Sequence, residues 1–358
     1  MNENIENLKK SIVYAMSLGS HELFHSNLWA WLMKKDNRYI KIFFEKFEEK
    51  EPVRVFREKE NMDIRIECGP GKTADIYIIE NKFKDMPTAE QLEKYNNKLK
   101  NKNVKGRLLV DIKNSKEIAD AVKDWKFLSY EKLCEKLNKE INNEESENVK
   151  NILNEYVKVL QNLQNIISKE FKSERKKLRI TDKDFLDYEE INIANVLRKM
   201  SAKEFAEYLK ENLDIYKENE SKIEITTGFS RGGAIVDVYF IVNGTKDNWS
   251  EKVGISLQKQ QYRYCVGTTS AKIDDVFNKY AEYKWFDKSD KNYTTTKKEK
   301  KQKLAPETYG YFASFLGEKE KYIYQHHKHV LENDCLGFEQ LANKINEDLS
   351  ELIKLIYI

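Results

Sequence analysis

The stretch Ala74-Asp75-Ile76-Tyr77-Ile78-Ile79-Glu80-Asn81-Lys82 decides how the first half of the chain is read. Its apolar, β-branched centre predicts a buried strand. Side chains alternate faces along a strand, so Glu80 and Lys82 leave on one side. A carboxylate and an amine at the end of an apolar strand are costly to place unless they pair or bind something. Immediately upstream, Gly69-Pro70-Gly71 marks a turn, and residues 62–67 read as the strand before it, carrying Asp63. A hairpin therefore links Asp63 to Glu-x-Lys.

Further outward, residues 4–18 place Ile5, Leu8, Ile12, Val13, Ala15 and Met16 at helical spacing, and Ser20 reads as the N-cap of a helix through Met33. A helix is expected over 40–47 and a strand over 53–56. Pro87 opens a helix holding Gln91-Leu92-Glu93-Lys94-Tyr95. Strands follow at 107–112 and 126–129, then a helix at 130–137. This alternation predicts an α/β mixed sheet with helices packed on it. The polar stretch 138–150 reads as a linker, and 152–167 as an amphipathic helix. Beyond it lies a second, α+β region. Helices are expected at 183–199, 201–216, 270–283, 318–331 and 337–356, and strands at 222–227, 234–242, 253–259 and 262–266. The domains expected are 1–140, a helical linker 141–180, and 181–358.

A chain of 358 residues exceeds one ordinary core, in keeping with two domains. Charged residues make up 34%, which fits a solvated globular protein, and the net charge of only +3 confines any nucleic-acid binding to a local patch. Cys68, Cys134, Cys265 and Cys335 are far apart and form no CxxC pair, so neither a zinc site nor a disulfide framework is suggested. The first residues lack a basic and an apolar signal region, and no segment reaches membrane-spanning length. A soluble, cytoplasmic protein is expected.

Two carboxylates and a lysine suit divalent-metal phosphodiester chemistry. Magnesium takes hard oxygen ligands and keeps several waters, so Asp63 and Glu80 suffice as side-chain ligands, with the Asn81 carbonyl a candidate third. Lys82 would orient or help deprotonate the attacking water, or stabilise developing negative charge. Asp75 is the alternative carboxylate; strand alternation sends it to the face opposite Glu80.

These motifs resemble the PD-(D/E)XK nuclease superfamily, in particular a bacterial branch with "IENK" ending the third strand and "QLxxY" on the next helix. Glu22-Leu23-Phe24-His25-Ser26-Asn27-Leu28-Trp29-Ala30-Trp31-Leu32 is similar to the Glu-x-x-His-Ser segment and apolar helix that open that branch. The likeness covers residues 20–130. It implies a restriction-endonuclease-like core, with Asp63 and Glu80 as metal ligands, Lys82 as the catalytic lysine, Glu22 completing the site and Gln91 lining it. Tyr95 lies one turn further along that helix and is a candidate nucleic-acid contact. Met62 stands where the superfamily's name has proline. The implied cofactor is Mg²⁺ or Mn²⁺.

Rival readings exist. His21-Glu22-Leu23-Phe24-His25 is a literal HExxH, the zinc-protease spacing, with no extended third-ligand motif after it. His326-His327-x-His329 is spaced for a solvated helix face rather than a metal cluster. Ser230-Arg231-Gly232-Gly233 reads as a β-turn rather than a phosphate loop. The strand Gln258-Lys259-Gln260-Gln261-Tyr262-Arg263-Tyr264 mixes basic and aromatic groups that can hold phosphates and bases, which makes Lys259 and Arg263 candidate nucleic-acid contacts beside an ordinary hairpin reading. The lysine-rich stretch 287–303 is a second such candidate. The function expected is a metal-dependent nuclease, an endonuclease acting on DNA, with a homodimer as a candidate assembly. The alternatives are an inactive scaffold that binds nucleic acid or protein, and the zinc protease.

Overall fold

A computed structural model describes residues 3–83, 87–112, 115–171, 176–230, 232–246, 248–259, 261–269, 273–285, 315–316, 320–327 and 337–357. The chain divides into two compact units: residues 1–172 with 190–192, and residues 173–189 with 193–358.

The first unit opens with α1 (Glu3–Lys10) and α2 (Ile12–Ser17). One helix was expected here. Ser11 splits it by capping α2, its hydroxyl accepting from the Tyr14 N–H at 3.1 Å. Then come α3 (His21–Lys35), capped by Ser20, and the short α4 (Arg38–Phe43). The sheet is built from β1 (Val53–Arg57), β2 (Ile64–Cys68), β3 (Asp75–Lys82), β4 (Val104–Asp111) and β5 (Trp125–Ser129), in that spatial order. β1, β2 and β3 pair antiparallel; β3, β4 and β5 run parallel. Its connections are α5 (Ala89–Lys98) and α6 (Lys116–Ala121), the latter too short to show helical periodicity in sequence. α7 (Tyr130–Ile141) and the long α8 (Glu147–Phe171) close the unit.

The expected α/β mixed sheet flanked by helices is therefore present. β3 is buried along its whole length because both faces are covered. Ile76 and Ile78 pack with Leu92, Tyr95 and Leu99 of α5 and with Leu109, Val122 and Trp125. On the other face Tyr77 meets the rings of Phe44 and Phe47.

The second unit holds α9 (Ala194–Asn212), α10 (Asp214–Glu218), β6 (Ile223–Ser230), β7 (Gly233–Gly244), β8 (Trp249–Gln258), β9 (Gln261–Thr268), α11 (Ile273–Glu282), β10 (Phe315–Leu316), β11 (Glu320–His327) and α12 (Phe338–Ile356). Its antiparallel sheet has the order β10-β11-β9-β8-β7-β6. Two expectations are corrected here. The pair of helices at 183–199 and 201–216 is mostly the single α9: Ser201, of a type that favours helix starts, sits buried inside it and accepts from the Arg179 N–H at 2.8 Å. The helix expected at 318–331 is strand β11 over its described residues, because Lys321 to His327 pair with β9. His326 and His327 thus lie on a strand, while His329 and the stretch 287–303 fall outside the described residues.

Candidate active site

The β2–β3 hairpin sets the site. Ile64 pairs with Ile79 and Cys68 with Asp75. One further step in that register puts Asp63 opposite Glu80. The turn depends on Gly69, whose φ of +99° a side chain would oppose. Beyond the last ladder pair, the Asp63 carboxylate continues the bonding: Oδ2 accepts the Asn81 backbone N–H at 2.7 Å. The two acids therefore converge at the end of one strand pair.

Lys82 Nζ lies 2.9 Å from Glu80 Oε1. The same oxygen accepts from Gln91 Nε2 at 2.8 Å. Gln91 stands at the start of α5, where Thr88 caps the helix by accepting the Gln91 N–H. Its amide also donates to the Tyr95 hydroxyl at 3.1 Å, and that hydroxyl donates to the Asn61 carbonyl at 2.8 Å. Glu22 approaches from α3, its Oε1 accepting the Phe83 N–H at 3.2 Å. The Asn81 amide group locks strand to helix: Nδ2 donates to the Glu22 carbonyl at 3.1 Å, and Oδ1 accepts from Tyr130 at 2.6 Å. Asp63, Glu80, Lys82, Glu22 and Gln91 thus gather in one place.

Burial makes this place electrostatically tense. Glu80 is 1% exposed and Lys82 9%. Burial, then the Asp63 charge, pushes the Glu80 carboxyl up to about 7, against the pull of Lys82. Asp63 is also raised by burial, against the Asn81 N–H and Lys82. Burial works to lower the Lys82 ammonium's proton affinity, but the Glu80 contact outweighs it and the net direction is up. Two acids competing for one space favour holding a proton or a cation. One atom has nothing to bind: Glu80 Oε2 is buried without a hydrogen-bond partner.

Among the described residues, no group of three or more His, Cys, Asp and Glu side chains is gathered to hold a metal ion. Two carboxylates suit a hard cation that keeps most of its waters; they do not make a closed zinc cage. His25 of the HExxH segment is 1% exposed and sits in an aromatic core. Its Nδ1 is 2.8 Å from the Tyr156 hydroxyl, and the rings of Phe83, Tyr130 and Trp29 surround it. The side chain of His21 lies outside the described residues.

Asp75 is at the far end of β3, roughly 17 Å from Glu80 at strand rise. It is buried against Lys50, 2.5 Å away, and the Asn103 amide. The other candidate contacts are held internally. Tyr95 is buried on the chain of bonds described above. Arg263 is 7% exposed and donates to Gln258 at 2.8 Å and Ser256 at 2.5 Å, inside the second sheet. Lys259 lies 3.2 Å from Asp182.

Sequence spacing did not single out two features beside the site. Arg57, the last residue of β1, reaches the Asp63 main chain. The β1–β2 connection contains Glu58, Glu60 and Asn61, all non-glycine residues at φ of 52° to 66°. Neither an arginine closing a strand nor a left-handed turn without glycine carries a recognisable pattern.

The span that carries this geometry, residues 11–158, matches the family model of the PD-(D/E)XK nuclease superfamily. The first unit is similar to the domains of that superfamily over this span. The acids, the lysine and the Gln91 helix all fall inside the matched span, and Met62, next to Asp63, is buried in the core. No curated protein and no solved structure matches the chain. No described helix is long and apolar enough to cross a membrane.

Proposed function

We propose that this protein is a divalent-metal-dependent nuclease that cleaves phosphodiester bonds in DNA, as an endonuclease, with Mg²⁺ or Mn²⁺ as the ion. One observation carries the proposal: a buried Glu80 oxygen without a partner, beside Asp63 and an ammonium. Asp63 and Glu80 would hold the ion. In an extended strand a residue's N–H and C=O face the same edge, so the Asn81 carbonyl leaves on the side of Asp63 and can join them. A bound divalent cation supplies an activated water and neutralises charge on the phosphate.

The protein's own groups do the rest. Gln91 and Lys82 both bind Glu80 Oε1, which leaves the other carboxylate oxygen, Oε2, to hold an ion. Lys82 keeps its proton at neutral pH, so it acts as a fixed positive charge for the phosphate's developing charge rather than as a base. Glu22 anchors the backbone at Phe83, one residue past Lys82, and adds negative charge at the entrance. We place the protein in the cytoplasm, allow a homodimer, and assign the second unit to substrate or partner binding.

Wild type, Glu80→Ala and Lys82→Ala should be incubated with Mn²⁺ and labelled DNA and RNA, single- and double-stranded. Wild type should cut DNA, and both variants should be inert with unchanged circular dichroism. Cleavage retained by both variants would end the proposal. A wild type that binds the strands without cutting them would favour the inactive scaffold.

A further inference from the structure

Asp63 stands outside the strand ladder, on a connection that a protein would not adopt without support. Glu58, Glu60 and Asn61 have left-handed backbone angles, which disfavour each residue by roughly 1–2 kcal/mol. The connection closes on itself through Glu58 N–H to the Asp63 carbonyl at 3.3 Å and Asn61 N–H to the Glu58 carbonyl at 3.3 Å. On the α5 side it is tied by the Tyr95 hydroxyl on the Asn61 carbonyl and by Lys98 on the Glu60 carbonyl at 3.1 Å. On the α3 side Arg57 ties it. Its Nε donates to the Asp63 carbonyl at 3.0 Å. Its Nη1 donates to the Leu23 carbonyl at 3.4 Å and to Asn27 Oδ1. The Arg57 side chain is 17% exposed, and its bond to the Asp63 carbonyl is partly buried.

We infer that Arg57 is a positioning residue for Asp63: its guanidinium joins the main chain of Asp63 to α3, the helix that carries Glu22, and so sets the distance between Asp63 and Glu22. This rests on the metal-nuclease reading above. The planar fork is what the geometry requires, since one group must reach carbonyls on two elements at once. A lysine can reach one of them.

Mn²⁺ binding to the full chain, followed by the loss of the free-ion electron paramagnetic signal, tests this without relying on turnover. The set is wild type, Glu80→Ala, Arg57→Ala, Arg57→Lys and, as a control on the same strand, Arg54→Ala. Losing a group that holds a metal ligand in place typically weakens metal binding by about tenfold or more, so Arg57→Ala should weaken Mn²⁺ binding by that factor, with Arg57→Lys between it and wild type. Arg54→Ala should bind as wild type does. If Arg57→Ala does not fold, Arg57→Lys carries the test. Wild-type affinity in Arg57→Lys, or in a folded Arg57→Ala, overturns the inference while leaving the metal site standing, provided Glu80→Ala has lost binding. Wild type that takes up no Mn²⁺ overturns the metal reading itself and this inference with it.

Discussion

The raised Glu80 carboxyl makes a prediction about stability that needs no substrate. Its ordinary value is 4.5 and burial beside Asp63 moves it to about 7 in the folded protein. Below pH 4.5 the group is protonated in the folded and the unfolded chain alike, and no penalty exists. Between about 4.5 and 7 the unfolded chain gives up its proton while the folded site keeps it, so stability falls as pH rises. Above about 7 both are ionised and the penalty stays constant. At about 1.4 kcal/mol per tenfold change in proton affinity, the whole effect is about 3 kcal/mol, most of it lost between pH 5 and pH 8. Glu80→Gln keeps the shape and removes the titration. Urea unfolding of both proteins in EDTA, at half-unit steps from pH 5 to pH 8, should give curves whose difference changes by about that amount, with wild type declining more steeply. Groups that do not interact with Glu80 cancel, and Asp63 and Lys82, which do, belong to the same crowded site. Parallel profiles, within about 0.5 kcal/mol, would falsify the claim that Glu80 is held in a desolvated, acid-crowded site. Mg²⁺ added at pH 8 should restore part of the lost stability to wild type and none to Glu80→Gln.

Other outcomes follow from the same geometry. Asp63→Ala should abolish cleavage, whereas Asp75→Ala should lower stability by about 1 kcal/mol through its lost contacts with Lys50 and Asn103, with turnover per folded molecule unchanged; equal effects on turnover would refute the assignment. Tyr95→Phe deletes the hydroxyl between Gln91 and Asn61 and should cost about 1 kcal/mol in urea unfolding and weaken Mn²⁺ binding. Leu92→Ala, emptying a fully buried position under β3, should cost 2–5 kcal/mol, read by thermal or urea unfolding.

Much of the site could be read along the chain because it depends on short-range order. Period-two alternation put Glu80 and Lys82 on one face, and the Gly69 turn brought the strand of Asp63 back beside them. Ser20 was a recognisable helix cap, and it accepts the Leu23 N–H. The family resemblance worked for the same reason, since its motifs are local strings. Expectations failed where a distant partner overruled local preference. Ser201 stays inside α9 because Arg179 occupies its hydroxyl, and residues 320–327 extend because β9 offers a free edge.

Sequence alone determined the five strands of the first unit and most of its helices, though not the break at Ser11 or the short α6, because backbone periodicity is a property of neighbouring residues. Tertiary structure decided which carboxylate faces Glu80, since hairpin register places Asp63 there and sends Asp75 to the opposite end of β3. It also decided that His25 is a core residue, that Arg57 holds the loop of Asp63, and that one oxygen of Glu80 is left bare. Those outcomes are set by contacts between residues up to 131 positions apart, such as His25 and Tyr156, and no spacing along the chain encodes the distance between them.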